Sequence, residues 1–159
     1  MQFHAARGCL SPTERCSLAR KIEACVLLHV EDDDATAYLF QLALRESGIH
    51  PALFRVTSGH EAIAFLTQSD PYCEAPRPNL VLLDLNLPGA DGWEILAAIR
   101  GDERLRELSV YVFSTSNHPD DRERVRIAGA TGYLVKGISL DSFVEVATSV
   151  CETVTNARD

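Results

Sequence analysis

The chain has 159 residues, 46% of them hydrophobic, and a formal charge of -8 at neutral pH, which suits one globular domain with a core of its own. An acidic surface with no block of Lys and Arg repels phosphate backbones and argues against a nucleic-acid partner. No run nears the roughly 18 apolar residues of a membrane span, and Arg7, Glu14, Arg15, Arg20, Lys21 and Glu23 stand where an export signal needs an apolar stretch.

In chain order, residues 1–23 are a polar extension. Within it "SPTE" (Ser11 to Glu14) has the form of a helix start, so a short helix over Pro12–Ile22 and disorder are both open. "CVLLHV" (Cys25 to Val30) is an apolar run that ends in acids, and "ATAYLFQLALRESG" has helical spacing with a glycine stop. "ALFRV" (Ala52 to Val56) alternates as a strand does, and "SGHEAIAFLTQ" returns to helical spacing. "SDPYCEAPRPN" is a loop, longer than such connections usually run. "NLVLLD" supplies a third strand, "WEILAAIR" a third helix, "VYVFS" (Val110 to Ser114) a fourth strand and "PDDRERVRIAGA" a fourth helix. "GYLVK" (Gly132 to Lys136) is the fifth strand, and Ser139 opens a last helix with Leu140, Phe143, Val146, Ala147, Val150 and Val154 inward. The five cysteines, Cys9, Cys16, Cys25, Cys73 and Cys151, form no C-x-x-C pair, which suits reduced thiols in a cytoplasmic protein.

Alternating strands and helices predict an α/β fold: a doubly wound five-stranded parallel sheet with five flanking helices and right-handed crossovers. Ligands in such folds bind beyond the carboxyl ends of the strands. There the first strand ends in Glu31 and Asp32, the third in Asp84, the fourth in Ser114 and the fifth in Lys136; only the second lacks a polar end. Three crowded carboxylates repel one another, and Mg²⁺ is the ordinary remedy. With a hydroxyl and an ammonium beside them, they make a phosphoryl-transfer site in which Asp84 is the best nucleophile. Glu31 and Asp32 would hold the metal, and the main-chain carbonyl of Asn86 would complete the coordination. Asp33, Asp34 and Asp91 read first as helix caps, and Tyr133 as half-buried packing. His4, His29, His50, His60 and His118 have no metal-ligand spacing.

"VEDDD", "LVLLDLNLPGADGWEIL", "VFSTS" and "AGATGYLVK", in this order and spacing, closely resemble the receiver domain of two-component response regulators. The resemblance implies a flavodoxin-like sheet of order 2-1-3-4-5. It also implies a receiver domain over 24–155 with no output domain, which signals in the cytoplasm as a single-domain regulator. By position it makes Asp84 the phosphoacceptor; Glu31, Asp32, Asp84 and the Asn86 carbonyl the Mg²⁺ ligands; Lys136 the phosphate-pairing lysine; and Ser114 with Tyr133 the switch pair. The implied reaction is phosphotransfer from a sensor histidine kinase to Asp84, with remodelling of the surface of the fourth helix, fifth strand and fifth helix. The long loop and the short "STS" resemble single-domain regulators paired with phytochrome-type histidine kinases. Where the family usually has a proline after the lysine, this chain has Gly137, from which a looser loop is expected.

Two other functions compete. A Mg²⁺-dependent phosphohydrolase with an aspartyl-phosphate intermediate generally needs a second Asp two residues past the nucleophile, where Asn86 stands. A degenerate receiver would act as a binding module without phosphorylation, against which the full set of site residues speaks. On the last helix Val144 and Cys151 form a second apolar stripe, from which a homodimer through the fifth helix, with or without the fourth, is expected.

Overall fold

The computed structural model describes residues 25–89 and 91–156. The helix considered over Pro12–Ile22 lies outside them. The apolar runs become strands β1 (Val26–Val30), β2 (Ala52–Val56), β3 (Leu80–Leu83), β4 (Ser109–Ser114) and β5 (Gly132–Val135). Between and after them come α1 (Asp34–Glu46), α2 (Gly59–Leu66), α3 (Gly92–Gly101), α4 (Pro119–Ile127) and α5 (Leu140–Asn156). Cys25 and Lys136, read as strand residues, stand just outside β1 and β5.

The strands form one sheet in the order β2-β1-β3-β4-β5, and every pairing is parallel, which is the expected doubly wound arrangement. After β1 the chain runs outward to β2, then crosses to the other side of β1 to lay down β3. The strand order therefore reverses between β1 and β3, and a crevice opens at their carboxyl ends.

Helix starts follow the sequence signals. Asp33 caps α1 by accepting the Thr36 N–H, Ser58 caps α2, Asp91 caps α3, and Ser139 Oγ accepts the Ser142 N–H at the start of α5. Asp34 lies in the first turn of α1 rather than at the cap.

Both faces of the sheet are buried. One carries Leu27, Leu80, Leu82 and Phe113 against Phe40 and Ala43 of α1 and Phe143, Ala147 and Val150 of α5. The other carries Leu28, Val30, Val81 and Leu83 against Ala62 and Phe65 of α2 and Ile95, Leu96 and Ile99 of α3. All four residues of β3 are buried, as a central parallel strand requires. The long loop after α2 is anchored: Tyr72 and Ala75 pack on the second core, and Gln68 Nε2 donates to the Ala75 carbonyl at 2.7 Å.

One expectation needs correction. Cys151 is 2% exposed and belongs to the first core, with Val144 packed against it. The second stripe of α5 is therefore not an open face, because α5 meets the sheet on one side and α1 on another and needs two apolar flanks. At Gly137 a Cβ would overlap the Ser142 side chain, so the glycine permits a close approach of the loop to α5. Among the described residues no helix is long and apolar enough to cross a membrane.

Candidate functional site

The crevice is lined by residues that follow directly from strands. Glu31 donates its N–H to the Val56 carbonyl at 3.0 Å, Asp84 to that of Val30 at 3.1 Å and Lys136 to that of Ser114 at 2.7 Å, so the sheet ladder continues one residue past each strand end and fixes these three backbones. Ser114 closes β4 on the same rim. Glu31, Asp84 and Ser114 are buried, with 0%, 6% and 5% exposure, and Asp32 is open to solvent.

Lys136 ties the set together. Its Nζ donates to Glu31 Oε2 at 2.6 Å and to Asp84 Oδ2 at 2.8 Å, and it lies 5.5 Å from the centre of the Phe113 ring. Burial alone pushes the ammonium down, but the hydrogen bonds and charges of Asp84 and Glu31 outweigh it and leave Lys136 above the usual lysine value. For Glu31 burial is the largest cause and raises its carboxyl above the usual range, helped by the Asp84 charge and opposed by Lys136. Asp84 Oδ1 accepts the Asn86 N–H at 2.9 Å, and Glu31 Oε1 accepts that of Asp33 at 3.1 Å.

Oxygens of Glu31, Asp32 and Asp84 lie within 4.8 Å of one another. Three hard oxygen donors, one of them solvent-exposed, suit a divalent cation of the Mg²⁺ or Mn²⁺ type and not a soft, thiolate-seeking metal.

The fourth and fifth strands add a polar relay. Ser114 Oγ accepts the Ser116 N–H at 3.2 Å, and the Tyr133 hydroxyl donates to the Ser116 carbonyl at 2.8 Å. The Tyr133 ring packs with Leu85, Val112 and Val125, and the Arg122 guanidinium lies 5.1 Å over it. Tyr133 is therefore half-buried packing, as the sequence suggests, and its hydroxyl is bonded to the loop that Ser114 opens.

Two residues at this site were not singled out by sequence. Gly92 lets α3 start against the backbone just after Asp84: a Cβ there would sit 2.6 Å from the Asp84 carbonyl oxygen. Arg55 of β2 donates to the carbonyls of Glu31 and Asp32. Gly92 carried a faint signal, a glycine directly after a capping Asp; Arg55 carried none, since an Arg in an alternating strand reads as solvent-facing.

The model of the family described as "Response regulator receiver domain" matches residues 27–148. The chain belongs to this family. This receiver is 39% identical over 134 residues to the response regulator Rcp1 of Synechocystis, covering 82% of this chain and 91% of Rcp1. The crystal structure of Rcp1 in its Mn²⁺-bound form has a TM-score of 0.72 at 38% identity, covering 79% of this receiver and 91% of that chain. The phosphorylated cyanobacterial phytochrome response regulator RcpA gives a TM-score of 0.76 at 35% identity, with 84% and 96% covered. Family membership makes the receiver a response regulator, a class of phosphoacceptor signalling domain that works with histidine kinases.

Proposed function

We propose that Asp84 is the phosphoacceptor and that the receiver unit spans residues 24–155. The observation that carries the reading is the Lys136 ammonium bonded to both Asp84 and Glu31 at the mouth of the β1/β3 crevice. An Asp84 carboxylate oxygen attacks the phosphorus of a phosphohistidine on the kinase. The new bond is P–O, the bond that breaks is P–N, and the electron pair returns to the imidazole. Lys136, already paired with Asp84, offsets charge on the transferred oxygens, and the Ser114 hydroxyl donates to one of them. Glu31, Asp32, Asp84 and the Asn86 carbonyl are the residues that would hold Mg²⁺. When bound, the ion supplies neutralisation for a dianionic group arriving among carboxylates.

The product is a covalent charge at a strand end. Movement of Ser114 toward it would pull on the loop that Tyr133 holds through the Ser116 carbonyl, and so reach the surface of α4, β5 and α5. Against a hydrolase stands Asn86, whose amide side chain cannot relay a proton. The likeness to RcpA, a phytochrome response regulator, supports a phytochrome-type histidine kinase as partner, and the absence of a C-x-x-C pair among the five cysteines supports a cytoplasmic setting. We also propose a homodimer through α5 together with α4, on which Ile127 is 71% exposed.

The test is intact-mass measurement after incubation with acetyl phosphate and Mg²⁺, beside EDTA controls. Wild type is expected to gain one phosphoryl group and Asp84→Asn none. An unchanged wild-type mass, or an equal gain in the variant, overturns the assignment.

A further inference from the structure

β2 ends in Val56, and the Thr57 and Ser58 hydroxyls after it are bonded to the start of α2, yet Arg55, one residue before the strand's end, reaches across to the segment that leaves β1. Its Nε donates to the Glu31 carbonyl at 2.9 Å, one terminal nitrogen donates to the Asp32 carbonyl at 3.1 Å, and the other pairs with the Asp34 carboxylate at 2.8 Å. A guanidinium holds its donors in a rigid planar fork, so these bonds set three positions of one loop at once. The Arg55 side chain is only 23% exposed; its bond to the Glu31 carbonyl is partly buried, while the contacts with Asp32 and Asp34 face solvent. The Glu31 N–H is also bound to β2, through the Val56 carbonyl at 3.0 Å. The backbone that carries Glu31 and Asp32 is thus gripped from β2 on both its N–H and its carbonyl side, while the two carboxylates remain with Asp84 in the acidic cluster.

We propose that Arg55 is a positioning residue for the divalent cation: it fixes the backbone of Glu31 and Asp32 so that both carboxylates meet the ion together with Asp84. This rests on the acidic cluster being the Mg²⁺ site. A guanidinium beside a cation site acts in two opposed ways. Its charge alone repels the cation, so removing it would tighten binding. Its fork orders the loop, so removing it frees two ligands and weakens binding, by roughly 10-fold or more if it resembles other residues that orient metal ligands. The sign of the change separates the two.

The experiment is calorimetric titration of the full chain with Mg²⁺ for wild type, Arg55→Gln and Arg55→Lys, with thermal unfolding in EDTA to establish that each is folded. Arg55→Lys keeps the charge and stem but loses the fork, and it carries the test if Arg55→Gln does not fold. Both variants are expected to bind Mg²⁺ roughly 10-fold more weakly. Their phosphorylation by acetyl phosphate should be slow at low Mg²⁺ and return toward the wild-type rate when Mg²⁺ saturates. Tighter or unchanged binding in Arg55→Gln, or wild-type affinity in Arg55→Lys, overturns the role of Arg55 alone. Absence of Mg²⁺ binding by wild type overturns the cation site and the positioning role with it.

Discussion

His29 lies in the middle of the sheet, in register with Arg55 of β2 and Leu82 of β3, and is 1% exposed. Its ring packs 4.9 Å from Phe40 and 6.4 Å from Phe113, and its Nε2 has no hydrogen-bond partner among the described residues. Burial first, then the Lys136 and Arg55 charges, push the imidazole down to about 3. It folds neutral, and because its native value lies below the unfolded one, acid favours the unfolded chain. The stability tied to its neutral form is complete above about pH 6.5 and is lost progressively as the pH falls from there toward 3. His29→Leu should remove this dependence. The difference in urea-unfolding free energy between variant and wild type, measured in EDTA, should grow by about 2 kcal/mol from pH 7.5 to pH 5. A constant difference over that range would show that His29 does not titrate on unfolding. At this scale the chemistry of the site was legible, because Asp84 and Lys136 are polar residues placed where apolar strands end. The grip of Arg55 was not, because its meaning lies in contacts with main-chain carbonyls that no side-chain pattern records.

Among the elements, α3 has the tightest seat. Asp91 caps it through the Trp93 N–H, and the Gly92 N–H donates to the Leu85 carbonyl at 3.1 Å, so the first turn lies directly on the peptide that follows Asp84. A Cβ at position 92 would meet the Asp84 carbonyl oxygen at 2.6 Å and the Leu85 Cα at 2.5 Å, both main-chain atoms that no side-chain rotation can clear. At the other end of α3 an added Cβ on Gly101 meets nothing within 4 Å among the described residues. The two glycines should respond in opposite directions. Gly92→Ala should destabilise by about 1–3 kcal/mol through overpacking and slow phosphorylation, since Asp84 moves with the clash. Gly101→Ala should be neutral or stabilise by about 0.5–1 kcal/mol through helix propensity. Urea midpoints at constant m-value measure both, and equal effects would mean that the seat of α3 is not set by Gly92. Alternation and caps made the elements readable, whereas this seat depends on a separation between backbones. The stripe on α5 shows the same limit. Apolar width tells how many faces a helix buries but not against what, and Val144 and Cys151 turned out to face the core shared with α1.

For the whole molecule, the sheet places the acidic crevice at the carboxyl ends of its central strands, and α4 lies over β4 and the edge strand β5, where Val125 packs with Val112 and Tyr133. With α5 covered by α1, the argument for self-association moves to the α4 side. There Ile127 is 71% exposed, while the inner face of α4 is anchored through buried Val125. Single exposed apolar residues are ordinary on a protein surface, so the weight falls on their surroundings. Around Ile127 the helix carries both signs of charge, with Arg126 paired to Glu123 at 2.7 Å and Arg124 to Asp121 at 4.0 Å. Across a two-fold axis such a face meets itself with each residue facing its partner's complement, and these exposed pairs can exchange partners between copies at little cost. Arg122 of α4 stacks over the Tyr133 ring, so a movement of Tyr133 on phosphorylation would be felt by α4. Sedimentation of the phosphoryl-loaded protein should then give the mass of a dimer, and Ile127→Glu, which buries a carboxylate opposite its own copy, should give that of a monomer with phosphorylation intact. A monomeric loaded wild type, or a dimeric Ile127→Glu, would place the signalling surface elsewhere.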